Sequence, residues 1–147
     1  MSTYNCAIRT NYFRVKDEDV FMQLMNRVYT GSEVPVKVFS KVCDDNVKQF
    51  AFGCLHEIAG VKNAKDDTDP ENNESSYDEF ISGLQDCVVD DDAIILYQSG
   101  HEKLCSVAAY AEIITAKDYQ FLNLFDLADQ KAASILNNPS WKTQRVY

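Results

Sequence analysis

Three short turns constrain the fold of this chain more than any other feature. Cys43-Asp44-Asp45-Asn46, Ser99-Gly100-His101-Glu102 and Ala116-Lys117-Asp118 each separate two runs rich in β-branched, aliphatic and aromatic residues. Connections that short join antiparallel neighbours, because a parallel pair needs a crossover of a dozen residues or more. The runs they link are 34–42 with 47–55, 93–97 with 103–115, and 103–115 with 119–124; residues 4–15 form a further strand ahead of them.

Helical spacing appears three times. In 17–29, Val20, Phe21, Leu24, Met25 and Val28 recur at helical intervals behind Asp17, Glu18 and Asp19, and Gly31 ends the segment. Ser76 and Glu79 form a capping box ahead of a short helix with Phe80, Ile81, Leu84 and Val88 as its buried stripe. A last helix over 126–136 turns Leu127, Ala128, Ile135 and Leu136 inward and stops at Asn138-Pro139. The order β-α-β-β-α-β-β-β-α predicts an α+β fold, a mostly antiparallel sheet with about three helices packed on one face. At 147 residues, 46% hydrophobic, the chain is one domain with enough apolar material for its own core. Residues 60–76 are polar, contain Pro70, and read as an acidic loop.

Fourteen basic against 23 acidic residues give a net charge of −9. That field repels nucleic acid and anionic membranes unless a local basic patch overrides it, and no stretch of sequence is dense in Lys or Arg. The carboxylates are concentrated. Asp66, Asp67, Asp69, Glu71, Glu74, Asp78, Glu79, Asp86, Asp90, Asp91 and Asp92 make eleven in 66–92, where no Lys or Arg occurs. Such a run imitates a phosphate backbone and fits the basic surface of a nucleic-acid-binding protein through charge-assisted contacts. The plainer alternative is a solvated surface kept acidic for solubility. Asp67, Asp69, Glu71 and Asp78 have part of the spacing of a calcium loop, but Asn72 stands where the sharp turn needs Gly, and Pro70 interrupts it.

Catalytic motifs are sparse. Cys6, Cys43, Cys54, Cys87 and Cys105 include no Cys-x-x-Cys pair, so neither a zinc site nor a redox motif is expected. The five glycines are too scattered for a phosphate cradle, and no cofactor is expected. His56 and His101 are the chain's two histidines. His56 with Cys54 on one strand face is the alternative of a small enzyme. A third class is a homo-oligomer paired through the sheet face or an edge strand. Tyr12, Phe13, Phe50, Phe52, Tyr97, Tyr110, Tyr119 and Phe121 lie on predicted strands, and those pointing away from the helices would form a contact surface. Residues 1–10 lack a signal peptide's pattern and no run has the length of a membrane span, so a cytoplasmic location is expected.

Thr10-Asn11-Tyr12-Phe13-Arg14-Val15 with Asp17-Glu18, Gly100-His101-Glu102-Lys103-Leu104, and the tail Asn138-Pro139-Ser140-Trp141 with Thr143 resemble small acidic proteins of Firmicutes mobile elements: conjugative elements, plasmids and phages. That resemblance carries no catalytic residues. It implies a setting in which accessory proteins inhibit host defence, as anti-restriction or anti-CRISPR proteins do by mimicking DNA. The expectation is a non-enzymatic binding module for a nuclease or CRISPR effector, with the acidic run as its contact.

Overall fold

The computed structural model describes residues 5–30, 34–62, 76–102 and 106–143. The expected α+β class holds, and the expected elements occur in the expected order. β1 (Asn5–Thr10) leads into α1 (Glu18–Arg27), where the Asp17 carboxylate accepts hydrogen bonds from the Asp19 and Val20 amides at 2.9 and 3.3 Å. The helix ends before Gly31. Val28 turns extended and opens β2 (Val28–Thr30), a strand hidden in the sequence because its three residues continue the apolar period of α1.

β3 (Lys37–Val42) and β4 (Lys48–Cys54) form the expected hairpin. Asn46 sits in its turn with φ 61°, a conformation Asn tolerates through its short polar side chain. The predicted loop from residue 60 begins instead with strand: β5 (Ile58–Val61) pairs with β2 in a separate two-stranded sheet, while residues 63–75 lie outside the described part. α2 (Tyr77–Cys87) follows, with Phe80, Ile81 and Leu84 buried, and Val88 buried just beyond its end. Ser76 is its N-cap residue, but its side chain makes no cap hydrogen bond, and the Glu79 amide donates to the Ser76 carbonyl at 3.2 Å.

β6 (Ile94–Glu102) runs nine residues and absorbs the predicted turn at Ser99-Gly100-His101-Glu102. Gly100 is paired on both sides, with Cys6 and with Ala108 of β7 (Ser106–Ile114). β8 (Tyr119–Asn123) and α3 (Leu124–Ile135) complete the chain. The main sheet is antiparallel, ordered β3-β4-β1-β6-β7-β8.

One face of this sheet carries the core. Phe13, Phe52, Phe80, Leu84, Ile94, Leu96 and Ile114 are fully buried, and Phe13 meets Phe21 and Phe52 edge-on at 5.6 and 6.3 Å. α1 and α2 cover that face. α3 does not add to the core. Leu127, Ala128, Ile135 and Leu136, expected inward, are exposed, Ile135 by 74% and Leu136 by 57%. Leu124 and Leu127 instead line a groove with Ala7, Tyr97 and Leu122, residues of the opposite sheet face.

Candidate functional site

The acidic run divides into three parts. Asp66, Asp67, Asp69, Glu71 and Glu74 lie outside the described residues, as does most of the calcium-like spacing. Asp78, Glu79 and Asp86 are exposed on α2, on the side away from Phe80, Ile81 and Leu84, and pair with no described Lys or Arg. Asp90, Asp91 and Asp92 are engaged by the chain's own cations: Lys16 lies 3.5 Å from Asp90, and Arg14 lies 3.0 Å from Asp91 and 3.4 Å from Asp92. Asp92 also accepts the Arg14 amide at 2.9 Å and the Ala93 amide at 2.8 Å, which fastens the segment after β1 to the start of β6.

The His56 ring contacts backbone and not a nucleophile, whereas His101 lines a groove with Cys6 and Ser99. β4 ends at Cys54, so the shared strand face expected for Cys54 and His56 does not exist; His56 sits in a bend with Nδ1 3.1 Å from the Glu57 carbonyl. Burial pushes the Cys54 thiol up, away from the thiolate a nucleophile requires. His101 is exposed near the end of β6, opposite Asn5 and Val107. No group of three His, Cys, Asp or Glu among the described residues is placed to hold a metal ion.

A carboxylate not singled out in the sequence is buried. Glu112 on β7 shares the inward parity of Ile114, is 5% exposed, and accepts a hydrogen bond from the Tyr77 hydroxyl at 2.5 Å. Burial, then the neighbouring Glu112, pushes the Tyr77 phenol far up; the same two influences push Tyr119 up to about 12. Ile8, Glu57, Gln98 and Tyr110 line the cleft of about 310 Å³ beside it. Phenols that hold their protons this firmly are suited to solvating a buried carboxylate, not to exchanging protons near neutrality. The signal available in the sequence was a lone Glu inside the apolar run Ala108-Ala109-Tyr110-Ala111-Glu112-Ile113-Ile114.

The sheet face away from α1 and α2 is chemically distinct. One row crosses all six strands: Lys37 opposite Gly53, Gly53 opposite Arg9, Arg9 opposite Tyr97, Tyr97 opposite Ala111, and Ala111 opposite Leu122. Residues two along each strand share the same face. They add Phe39, Lys41, Gln49 and Ala51 on one side, Ile95, Ser99, His101 and Asn5 in the centre, and Ala7, Val107, Ala109, Ile113 and Gln120 around them. No carboxylate stands at any of these positions. The Arg9 guanidinium lies 4.1 Å from the Phe39 ring centroid, and Lys41 lies 4.3 Å from that of Tyr12. Of the strand aromatics, Phe13, Phe50 and Phe52 are core, Tyr97 is 52% exposed on this open face, and Phe121 and Tyr119 are exposed on the edge strand β8.

No protein-family model, curated protein or solved structure matches this chain. No helix of the described residues is long and apolar enough to cross a membrane.

Proposed function

We propose that this protein is a non-catalytic binding module that inhibits or modulates a nucleic-acid-handling protein, such as a nuclease or a CRISPR effector, in the mobile-element setting its motifs resemble. The observation that carries this reading is the outward row Asp78, Glu79 and Asp86 on α2, exposed and without a cation partner among the described residues. Carboxylates so placed present charge to a basic surface without having to break internal pairs first. Asp90 and Asp91 extend the row but compete with Lys16 and Arg14 for it. Salt-sensitive capture of a nucleic-acid-binding protein from host lysate tests the reading. The variant Asp78→Asn, Glu79→Gln, Asp86→Asn should lose that capture and keep its fold; capture that persists in this variant at unchanged salt sensitivity defeats the proposal.

A second reading, a homo-oligomeric accessory protein, is favoured by the exposed stripe Leu124, Leu127 and Ile135 on α3. Sedimentation across a wide concentration range separates the two: a monomer at every concentration removes the second reading and leaves the first.

A further inference from the structure

We infer that the open face of the sheet binds single-stranded nucleic acid, with Arg9, Lys37 and Lys41 against backbone phosphates and Tyr97 as the surface on which a base stacks. Net charge argues against nucleic acid only if the charge is evenly spread, and here it is not. On the helix side Arg14 is paired with Asp91 and Asp92, Lys16 with Asp90 and Lys48 with Glu18. Arg9, Lys37 and Lys41 form no ion pair with a described carboxylate, and their sheet face carries none. Arg9 and Lys41 lie over aromatic rings instead, which leaves their N–H groups free for an anion.

The α2 carboxylates lie on the far side of the sheet from this face. The carboxylates of α2 point outward from a helix roughly 10 Å across. They therefore stand farther from the open face than the screening length, about 8 Å at physiological salt. The face is also shaped for a flat ligand. Tyr97 stands 52% exposed in a groove that it lines with Arg9, Ala7, Ala109 and Ala111 and that Leu122, Leu124 and Leu127 border on the side of β8 and α3. Arg9 on β1 and the lysines of β3 are separated by one strand, about 10 Å. A single strand laid across the sheet meets cations and then a ring, the combination that binds unpaired strands with little sequence preference. A duplex cannot offer its base faces to Tyr97. An acidic polypeptide would satisfy the cations but leave the exposed ring without its stacking partner.

The test is fluorescence anisotropy of the full chain with labelled oligothymidylate and oligouridylate, against a duplex of equal length. Binding is expected at low salt, with affinity falling along a log–log salt slope of roughly −2, the value for about three phosphate contacts on a single strand. Tyr97→Ala should weaken binding about tenfold or more. Lys37→Gln should weaken it on both strands and reduce the slope by about 0.7. Both side chains are exposed, and circular dichroism with a thermal melt checks that each variant folds. No anisotropy change for wild type at low salt overturns the inference, as does binding that survives Tyr97→Ala and Lys37→Gln together. Equal binding of the duplex, or equal competition by oligoglutamate, also overturns it; the face would then read charge alone, and the second result would point to an acidic polypeptide.

Discussion

Arg9 crosses the backbone of β4 at Gly53 to place its guanidinium 4.1 Å from the ring centroid of Phe39. The crossing depends on the missing side chain: a Cβ at Gly53 would lie 2.9 Å from the Ile8 carbonyl oxygen and 3.4 Å from the Arg9 Cδ. The first neighbour is backbone of the central sheet and cannot swing aside. Gly53→Ala should therefore cost about 1–3 kcal/mol through forced displacement of β1 from β4. Gly83→Ala is the matched control. Its Cβ would meet Leu24 Cδ1 at 2.8 Å, the end of a flexible side chain, and Ala is favoured over Gly in a helix by about 1 kcal/mol. Urea denaturation should show the first variant clearly destabilised and the second near wild type; equal losses would contradict the distinction.

Asp92 and Asp90 belong to one acidic triplet yet should behave differently. Asp92 accepts two backbone amides, at 2.9 and 2.8 Å, with a side chain only 24% exposed. Asp92→Ala leaves those donors unpaired and should cost about 1–3 kcal/mol. Asp90 faces Lys16 at 3.5 Å with 78% exposure. Asp90→Asn should change stability by less than about 0.5 kcal/mol, as exposed pairs do. Chemical denaturation of the two single variants settles the contrast.

Tyr77 and Tyr119 give stability an alkaline limit. Both phenols are raised above the ordinary value of 10.0, Tyr119 to about 12, because burial and Glu112 disfavour the phenolate. The unfolded chain releases these protons at lower pH than the folded one. Their contribution is therefore complete below about pH 10 and is lost as pH rises through the folded values. Unfolding free energy should fall with pH above about pH 10, and Tyr77→Phe should flatten that fall. The same variant should lose about 1–3 kcal/mol at neutral pH, since it removes a donor from buried Glu112. A phenolate absorbance titration with all tyrosines ionising at their ordinary value would contradict both statements.

What the sequence made legible was what local chemistry alone determines. The hairpin around Asn46, the start of α1 at Asp17 and the buried stripe of α2 each depend on residues within a few positions of one another. What it hid depends on pairing partners far along the chain. Ser99-Gly100-His101-Glu102 has turn composition, yet β1 and β7 hold it extended from both sides. β2 and β5 are each too short to signal themselves and exist because they pair. The surfaces follow the same division. The acidic run is contiguous and visible, whereas Arg9, Lys37, Lys41 and Tyr97 meet only once β1, β3 and β6 lie in one sheet. Glu112 is hidden for a related reason: nothing local reveals that Tyr77, 35 residues away, supplies its hydrogen bond.

The third helix shows where periodicity misleads. Leu124, Leu127, Ala128 and Ile135 repeat as a buried stripe would, and the pattern cannot say whether a partner surface exists. With Leu127 44% and Ile135 74% exposed, little apolar area leaves water when these side chains fold into place. Leu127→Ser and Ile135→Ser should therefore each lower the stability of the monomer by less than about 1 kcal/mol. Leu84→Ala, at a fully buried position, should cost about 2–5 kcal/mol. Denaturation at low protein concentration measures these values in the monomer. If the two serine variants become strongly destabilising only as concentration rises, the stripe is buried between copies of the chain, and the accessory-oligomer reading gains the support that the monomer alone does not give it.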